Sequence, residues 1–600
     1  MEQRAAVDAP GLKTLLGVTR SIMGRHWVER ATNHSEVMNI AQRVRIDEVV
    51  ARLLNARGVT AEAAAGYLNP TLKADLPDPS VILDMDLAAE RLADAVVAGE
   101  GIAIFGDYDV DGATSSALLA RYLTAVGARP LVYIPDRLTE GYGPNAPAME
   151  RLVSLGAKVI VTVDCGTQAH EALEAAGSKG ADVIVCDHHL PAGSLPRACA
   201  IVNPNRHDDT SGLGQLAAIG VTFLMCVALN RTLRLRGFFE KRLAPDLRNW
   251  LGIVALGTVA DVVPLTGVNR TFVTRGIEQI RNAAVPGLSA LIEVGRLNGP
   301  VGPYHLGFVL GPRVNAGGRV GRCDLGSQLL TTDSPEEALT LARELDVLNQ
   351  ERRSIEQSMV EEAISLVESD EGLRACAVLV VAHEGWHPGV IGIIASRLKE
   401  RYTKPAIVIS LNEGVGKGSG RSVTGVDLGS AIVAAKEQGL LINGGGHAMA
   451  AGLTIDPARL LEFRAFLSVQ LASACAASPE GRELVIDGAL SPGGATEEFC
   501  TLVSRCGPYG SGNAEPVFVF PSLGVSYVSV VGEQHVRCAF QSADGARLNG
   551  IAFRAMQSEL GAVLLKHKGR RLHVAATLKV DEWQGQRRVQ ATIRDAALAS

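Results

Sequence analysis

The chain has 600 residues, 47% of them hydrophobic and 20% charged, with 64 glycines; that is room for roughly three to five domains of ordinary globular composition. Its net charge of −6 gives no support to a protein that coats nucleic acid through overall positive charge. No uninterrupted run of about 18 apolar residues is evident, Met1-Glu2-Gln3-Arg4 opens no apolar leader, and ten cysteines without a Cys-x-x-Cys pair fit a reduced, cytoplasmic chain with no structural zinc and no membrane segment.

Residues 1–37 carry little patterning, and Met38 offers an alternative start. Residues 38–100 read as mainly helical, most clearly at 46–54 and 88–97, with Asn69-Pro70, Pro77 and Pro79 marking a loop between them. From 101 to 265 strands and helices alternate as in a doubly wound parallel sheet. The first apolar strand runs into Asp107-Tyr108-Asp109-Val110-Asp111. In extended geometry these carboxylates point to one side, and three held that close repel unless cations sit among them.

A lone Asp-x-Asp is more often a solvated turn, but here the same kind of strand end recurs. A run rich in Val and Ile at 157–163 leads into Asp164, and another at 181–186 leads into Asp187, His188 and His189. Such runs read as strands buried on both faces, joined here by a helix at 168–177. In open α/β sheets, ligands bind beyond the carboxyl ends of the strands. Asp107, Asp109, Asp111, Asp164, Asp187, His188 and His189 are therefore expected along one edge. The segment 257–265 adds Asp261 to an apolar run, where an isolated buried charge would be very costly.

Residues 266–345 read as helical, broken by the Gly/Pro-rich patch 299–321, and 346–367 is a long polar helix pattern suited to connecting two lobes. A second α/β unit follows at 376–464, with strands at 377–382 and 406–409 and helices at 390–402 and 428–438. From 484 the texture changes to short strand-like segments at 517–520, 525–531, 536–540, 549–553, 572–580 and 589–593, which suggests a small β-barrel or sandwich.

The ordered set Gly106-Asp-Tyr-Asp-Val-Asp-Gly112, Val163-Asp-Cys-Gly-Thr167, Asp187-His188-His189 and Gly257-Thr-Val-Ala-Asp261 resembles the four motifs of the DHH phosphoesterase superfamily. The second lobe looks like that superfamily's associated DHHA1 domain, through Trp386-His387-Pro388-Gly389, Gly418-Ser419-Gly420-Arg421-Ser422 and Gly444-Gly445-Gly446-His447. Pro135-Asp136-Arg137, Asn203-Pro204-Asn205 and Gly311-Pro312-Arg313-Val314-Asn315-Ala316 make it most similar to the RecJ family within that superfamily, over roughly residues 75–595. Some family members carry a histidine two residues before the first aspartate. Here that position is Phe105, so Asp107 has to serve as the upstream oxygen ligand.

The resemblance implies an α/β protein: a DHH domain on a doubly wound parallel sheet, a long connector helix, a smaller DHHA1-like α/β domain and a C-terminal OB-fold β-barrel. The expected division is an N-terminal helical segment at 1–75, the catalytic domain at 76–345, the connector at 346–372, the substrate-binding domain at 373–480 and the barrel at 481–600. It implies a 5′-to-3′ exonuclease on single-stranded DNA that releases 5′-mononucleotides, acting in DNA repair and recombination. The alternative is a phosphodiesterase on short oligonucleotides or cyclic dinucleotides.

Carboxylate and imidazole ligands suit Mn²⁺ or Mg²⁺. By resemblance Asp164 bridges two such ions, Asp107 and Asp109 hold the first, and Asp111, His188 and Asp261 hold the second. His189 is a donor to the scissile phosphate, and Asp187 orients a histidine beside it. Arg137, Arg313, Asn315, Ser419, Arg421, Ser422, Gly445, Gly446 and His447 are the candidate substrate contacts. In the barrel, Tyr527, Phe540, Phe553 and Trp583 offer rings for stacking, and Arg537, Lys579 and Arg588 offer charge. A monomer is expected, with a single-strand-binding protein and a helicase as candidate partners.

Overall fold

The computed structural model describes residues 13–137, 139–141, 143–191, 193–282, 284–478, 483–566, 570–583 and 586–599. It divides into two units: Pro70–Ala476 with Gly510–Gly512, and Met1–Asn69 with Ala477–Tyr509 and Asn513–Ser600.

In the first of these, five parallel strands lie in the order Leu131–Tyr133, Ile102–Gly106, Val159–Val163, Asp182–Cys186, Ala200–Val202. Ile102–Gly106 and Val159–Val163 are buried throughout, as their near-continuous apolar sequences imply. The chain moves to one side of Ile102–Gly106 and then crosses to the other, so the strand order reverses beside this strand. The crevice beyond the carboxyl ends at such a reversal is where open α/β sheets bind ligands.

One face of the sheet is packed by helices Val110–Ala125 and Ala218–Leu235. Ala218–Leu235 is long and apolar enough to cross a membrane by composition, yet 72% of it is buried within this unit. Asn230, Arg231 and Arg234 interrupt its apolar run, which is why a scan for unbroken apolar sequence passes it over.

The Gly/Pro-rich patch interrupts the helices only at its two ends, 299–302 and residue 321. Pro303–His305, a π-helical turn Leu306–Leu310 and Gly311–Val320 form one helical run. Pro312 lies just after the π-helical turn, where the Gly311 N–H reaches back to the Leu306 carbonyl, so the ladder is already irregular where the proline removes a donor. Gly318 allows close approach: a Cβ there would lie 2.6 Å from the Tyr108 carbonyl oxygen.

The polar pattern at 346–367 lies inside a 35-residue helix, Pro335–Ser369. Its first half contributes Ala338, Leu341, Ala342 and Leu345 to the core of the parallel sheet. Its second half contributes Met359, Ala363 and Val367 to the core under a second sheet. That sheet has the order Asn443–His447, Ala450–Ile455, Val415–Arg421, Ala406–Asn412, Leu379–Glu384. The Gly-rich stretch 416–420 is thus a strand. A Cβ on Gly416, Gly418 or Gly420 would come within 2.7–2.8 Å of Ile455, Leu453 or Leu428, so these glycines make room for large core side chains.

In the other unit, Phe518–Val531, His535–Gln541, Arg547–Ala552, Gln586–Leu598 and Arg571–Trp583 form a barrel, closed by pairing of the first strand with the last. Phe540 is fully buried in its core and offers no stacking surface, whereas Tyr527 and Phe553 are half exposed; the Trp583 side chain lies outside the described residues. The expectation that residues 1–37 are weakly specified fails for 13–37. His26–Glu29 pairs with Glu483–Ile486, and Trp27 is fully buried. The Trp27 Nε1–H donates to Asp595 Oδ2 (3.1 Å), the Ser21 hydroxyl to the same oxygen (2.6 Å) and the Met23 N–H to Oδ1 (3.3 Å).

Candidate metal centre

The strand Ile102–Gly106 ends before the aspartates, so Asp107, Asp109 and Asp111 do not line up along an extended chain as expected. Asp109 instead caps the helix Val110–Ala125, its Oδ1 accepting from the N–H groups of Asp111 (2.8 Å) and Gly112 (3.1 Å). The turn is tight: a Cβ on Gly112 would lie 2.3 Å from the Asp107 carbonyl oxygen. Asp111 then projects from the first helical turn and accepts from Ala218 N–H (2.6 Å) and Ile219 N–H (2.9 Å), which lie in the first turn of Ala218–Leu235, the positive end of that helix.

Asp164 follows Val159–Val163 with φ of 61°, a left-handed conformation that aspartate tolerates better than most residues. Asp261 follows helix Leu251–Ala260, so the fourth motif contributes from a helix end and not from a strand.

These elements bring the ligand-type atoms together in three overlapping groups: Asp107, Asp109 and Asp164; Asp111, His188 and Asp261; and Asp164, His188 and His189, each group within 4.8 Å. The His188 Nε2 stands 3.4 Å from Asp164, 3.7 Å from Asp261 and 3.8 Å from Asp111. Burial and the charges around them push Asp111 to about 7, Asp261 to about 9, and Asp107 and Asp164 well above the usual carboxylate range. Burial and the neighbouring His189 lower His188 to about 4. It is therefore neutral near pH 7, with Nδ1 at 3.1 Å from the Leu216 carbonyl and Nε2 facing the acids.

The second histidine is the opposite case. Burial opposes its charge, but the Asp187 carboxylate, 2.7 Å from His189 Nδ1, raises it to about 9. Asp187 also accepts from the N–H groups of His188 (2.7 Å), His189 (3.1 Å) and Thr167 (3.1 Å). The His189 ring above all, with the Thr167 contact and the charge on His188, outweighs the cost of burial and holds its carboxyl well below the usual range. Asn203 braces the turn by donating to Thr167 Oγ1 (2.9 Å) and to the His189 carbonyl (2.8 Å).

The fit to divalent cations is tested by Asp164. Its Oδ1 is buried without a hydrogen-bond partner in the described structure, and Asp164 is shared by two of the three groups, the third joining through His188. Like charges crowded around an unsatisfied buried oxygen are what bound cations would relieve.

Arginines gather beside this centre. The Arg137 guanidinium lies over the Tyr108 ring, 5.0 Å from its centroid. Arg319 donates to the Gly389 carbonyl of the second lobe (2.9 Å), and burial, with Arg137 and Arg352 nearby, lowers it to about 10. Arg421 donates to Ser419 Oγ (3.1 Å); burial and Arg137 lower it as well. A cavity of about 310 Å³ between the lobes is lined by Pro144, Thr167, Gln168 and His189 on one side and His447 on the other. Gly445, two residues before His447, has open space where a side chain would be, as close approach by a ligand would require.

Other expected contacts are engaged elsewhere. Arg313 pairs with Asp346 (2.9 Å) and donates to the Val309 carbonyl. The buried Ser422 hydroxyl donates to the Val426 carbonyl (2.7 Å). The Gly446 backbone is crowded against Ala450 and Ala451. Asn315 is half-buried, one helical turn before Arg319. Arg319 itself is absent from the sequence reading, although it continues the quoted glycine-rich segment at helical spacing. Also absent are Tyr304 and Phe308, exposed by 67% and 72% and stacked at 5.2 Å. Their helical run packs on Val259 and Ala260 beside Asp261.

Comparison with known proteins agrees with this architecture. Family models match at residues 101–258 (DHH family, N-terminal domain), 375–473 (DHHA1 domain) and 486–595 (RecJ OB domain). The single-stranded-DNA-specific exonuclease RecJ of Escherichia coli is 38% identical over 554 residues, covering 90% of this chain and 94% of that protein. Crystal structures of Thermus thermophilus RecJ superpose at TM-score 0.79 with Mn²⁺ (28% identity) and 0.73 with Mg²⁺ (27%). Each covers 95% of this chain, and they cover 79% and 78% of the Thermus chain.

Proposed function

The chain belongs to the RecJ family of exonucleases, and from that membership we propose that it hydrolyses single-stranded DNA in the 5′-to-3′ direction with two Mn²⁺ or Mg²⁺ ions, releasing 5′-mononucleotides during DNA repair and recombination. The observation that carries this reading is the convergence of Asp107, Asp109, Asp111, Asp164, His188 and Asp261 around the unpartnered Asp164 Oδ1. Asp107, Asp109 and Asp164 would hold one ion, and Asp111, His188, Asp261 and the shared Asp164 the other. Divalent ions, when bound, supply Lewis-acid polarisation of the phosphodiester and lower the pKa of water.

The chain's own groups do the rest. The Leu216 carbonyl selects the His188 tautomer that leaves Nε2 free to act as a ligand. His189, kept protonated by Asp187, is a hydrogen-bond donor to a phosphate oxygen and can offset charge that builds there. Arg137, Arg319 and Arg421 bring positive charge to the substrate backbone from both lobes, and His447 faces the terminal nucleotide across the cavity. Tyr304 and Phe308 offer a stacking surface for bases approaching past Asp261. Tyr527 and Phe553 offer another on the barrel.

The test is digestion of single strands labelled at the 5′ or 3′ end, with duplex and RNA controls, after chelation and after return of Mn²⁺ or Mg²⁺. Release of the 5′ label as a mononucleotide, abolished by chelator and restored by metal, is expected. Activity that survives chelation, or label released from the 3′ end alone, would refute the assignment.

A further inference from the structure

We propose that Tyr108, between two of the metal-ligand aspartates, is a positioning residue: its ring holds the Arg137 guanidinium where the substrate phosphate docks. The proposal rests on the function read above and goes beyond it by assigning the uncharged residue of the aspartate motif.

The first observation concerns Arg137. Among the described residues it forms no ion pair, and the Tyr108 ring, with its centroid 5.0 Å from the guanidinium carbon, is the packing partner that its charged end has. Like charges lie near it, since its charge disfavours the charged forms of Arg319, Arg421 and His387, and among the acids it favours the charged form of Asp107. A guanidinium held among like charges drifts toward solvent unless something attracts it, and the face of an aromatic ring does so.

The second observation concerns Tyr108. It does not move freely with its side chain. Its N–H donates to Asp107 Oδ1 (2.8 Å), and its backbone lies against Gly318, where a Cβ would come 2.6 Å from the Tyr108 carbonyl oxygen and 3.2 Å from its Cβ. Gly318 immediately precedes Arg319. One residue therefore touches the metal-ligand loop, the helix that carries Arg319 and the side chain of Arg137.

The loop that carries Arg137 is anchored separately. Glu140 accepts from the Tyr133 hydroxyl (2.8 Å), Asp136 N–H (2.8 Å) and Asn145 Nδ2 (3.3 Å). Glu140 thus fixes the loop, and Tyr108 fixes the direction of its arginine. Phosphate-to-metal registration would then depend on a ring placed within the metal motif itself.

Full-length Tyr108→Leu, Tyr108→Phe and Arg137→Ala proteins, and the Tyr108→Leu/Arg137→Ala pair, separate this role from simple packing. KM and kcat on single-stranded DNA, the Mn²⁺-induced thermal shift, and the thermal shift given by inorganic phosphate in the presence of Mn²⁺ are measured for each. Tyr108→Leu is expected to raise KM by about fivefold to tenfold, leave kcat within about twofold, keep the Mn²⁺ shift and lose most of the phosphate shift. Tyr108→Phe should behave as wild type. In the Arg137→Ala background, Tyr108→Leu should add less than about twofold.

An unchanged KM and phosphate shift in Tyr108→Leu would overturn the proposal. So would a fall in kcat with loss of the Mn²⁺ shift, which would mean a merely structural role, or full multiplication of the two effects in the pair. Should the wild-type chain leave single strands uncut, the functional reading fails first, and the phosphate shift still decides the role of Tyr108 without turnover.

Discussion

The strongest single test of the metal centre is Asp164→Asn. Asparagine keeps the side-chain shape and tolerates the left-handed backbone at φ 61°, whereas alanine would add strain of about 1–2 kcal/mol. The substitution removes one charge from a group whose ligand atoms lie within 4.8 Å of one another. At an effective dielectric constant of about 20, two unit charges at that distance repel by roughly 3.5 kcal/mol. Asp164 faces two such neighbours in Asp107 and Asp109. Because burial and the neighbouring charges hold Asp107 and Asp164 well above the usual carboxylate range, only part of the sum is released, on the order of 2–4 kcal/mol at pH 8.

For a unit of about 400 residues, that corresponds to a rise in melting temperature of roughly 2–5 °C. Differential scanning of chelated protein should show the variant melting above wild type at pH 8 and the gap closing at pH 5. Mn²⁺ should stabilise wild type much more than the variant, and hydrolysis should fall by at least about a hundredfold. If the chelated variant melts below wild type at pH 8, or gains as much from Mn²⁺, Asp164 is a structural residue and the ligand argument is wrong.

Two further outcomes follow from the same structure. Asp111 at about 7 and Asp261 at about 9 sit above the unfolded value of about 3.9, so the metal-free folded chain binds more protons than the unfolded one. The associated stability is complete below about pH 4 and is lost as pH rises through 7 to 9. Chelated protein should therefore melt lower at pH 9 than at pH 6, and Mn²⁺ binding at pH 7 should release roughly one to two protons, measured by calorimetry in two buffers; a flat pH profile with no proton release would contradict this. A chain begun at Met38 loses Trp27 and the Ser21, Trp27 and Met23 donors to the buried Asp595. Its barrel should lose at least about 3–5 kcal/mol and become protease-sensitive, and an unchanged barrel melting transition would show that the N-terminal strand is dispensable.

Much of the sheet and most of the candidate ligands were legible because burial on both faces leaves a local mark. The runs at 157–163 and 181–186 carry unbroken β-branched stretches at 159–163 and 183–185, and each run stops at a charged residue that the interior cannot accept. The carboxyl ends of such strands converge in any doubly wound sheet, so Asp164, Asp187, His188 and His189 could be placed together without knowing a single contact. Asp107, Asp109 and Asp111 do gather beside the other ligand-type groups, but not by the route the alternation implied. The alternation suggested an extended chain, whereas Asp109 caps a helix and Asp111 reaches the amides of Ala218 and Ile219, more than a hundred residues away.

What stayed hidden depends on distance or on glycine. The partnership of Trp27 with Asp595 spans nearly the whole chain, and no local pattern reports it. Glycine is ambiguous by nature: the absence of a Cβ serves a flexible loop and a crowded interior equally well. At Gly416, Gly418 and Gly420 the neighbours Ile455, Leu453 and Leu428 fill the space, so a stretch with the composition of a phosphate loop is a core strand. At Gly318 the space is filled by Tyr108, which turns an expected break into a helix that delivers Arg319 to the cleft. A glycine-rich motif in a single sequence therefore marks a close approach without naming what approaches. In this chain the approaching group is another part of the protein more often than it is a substrate phosphate.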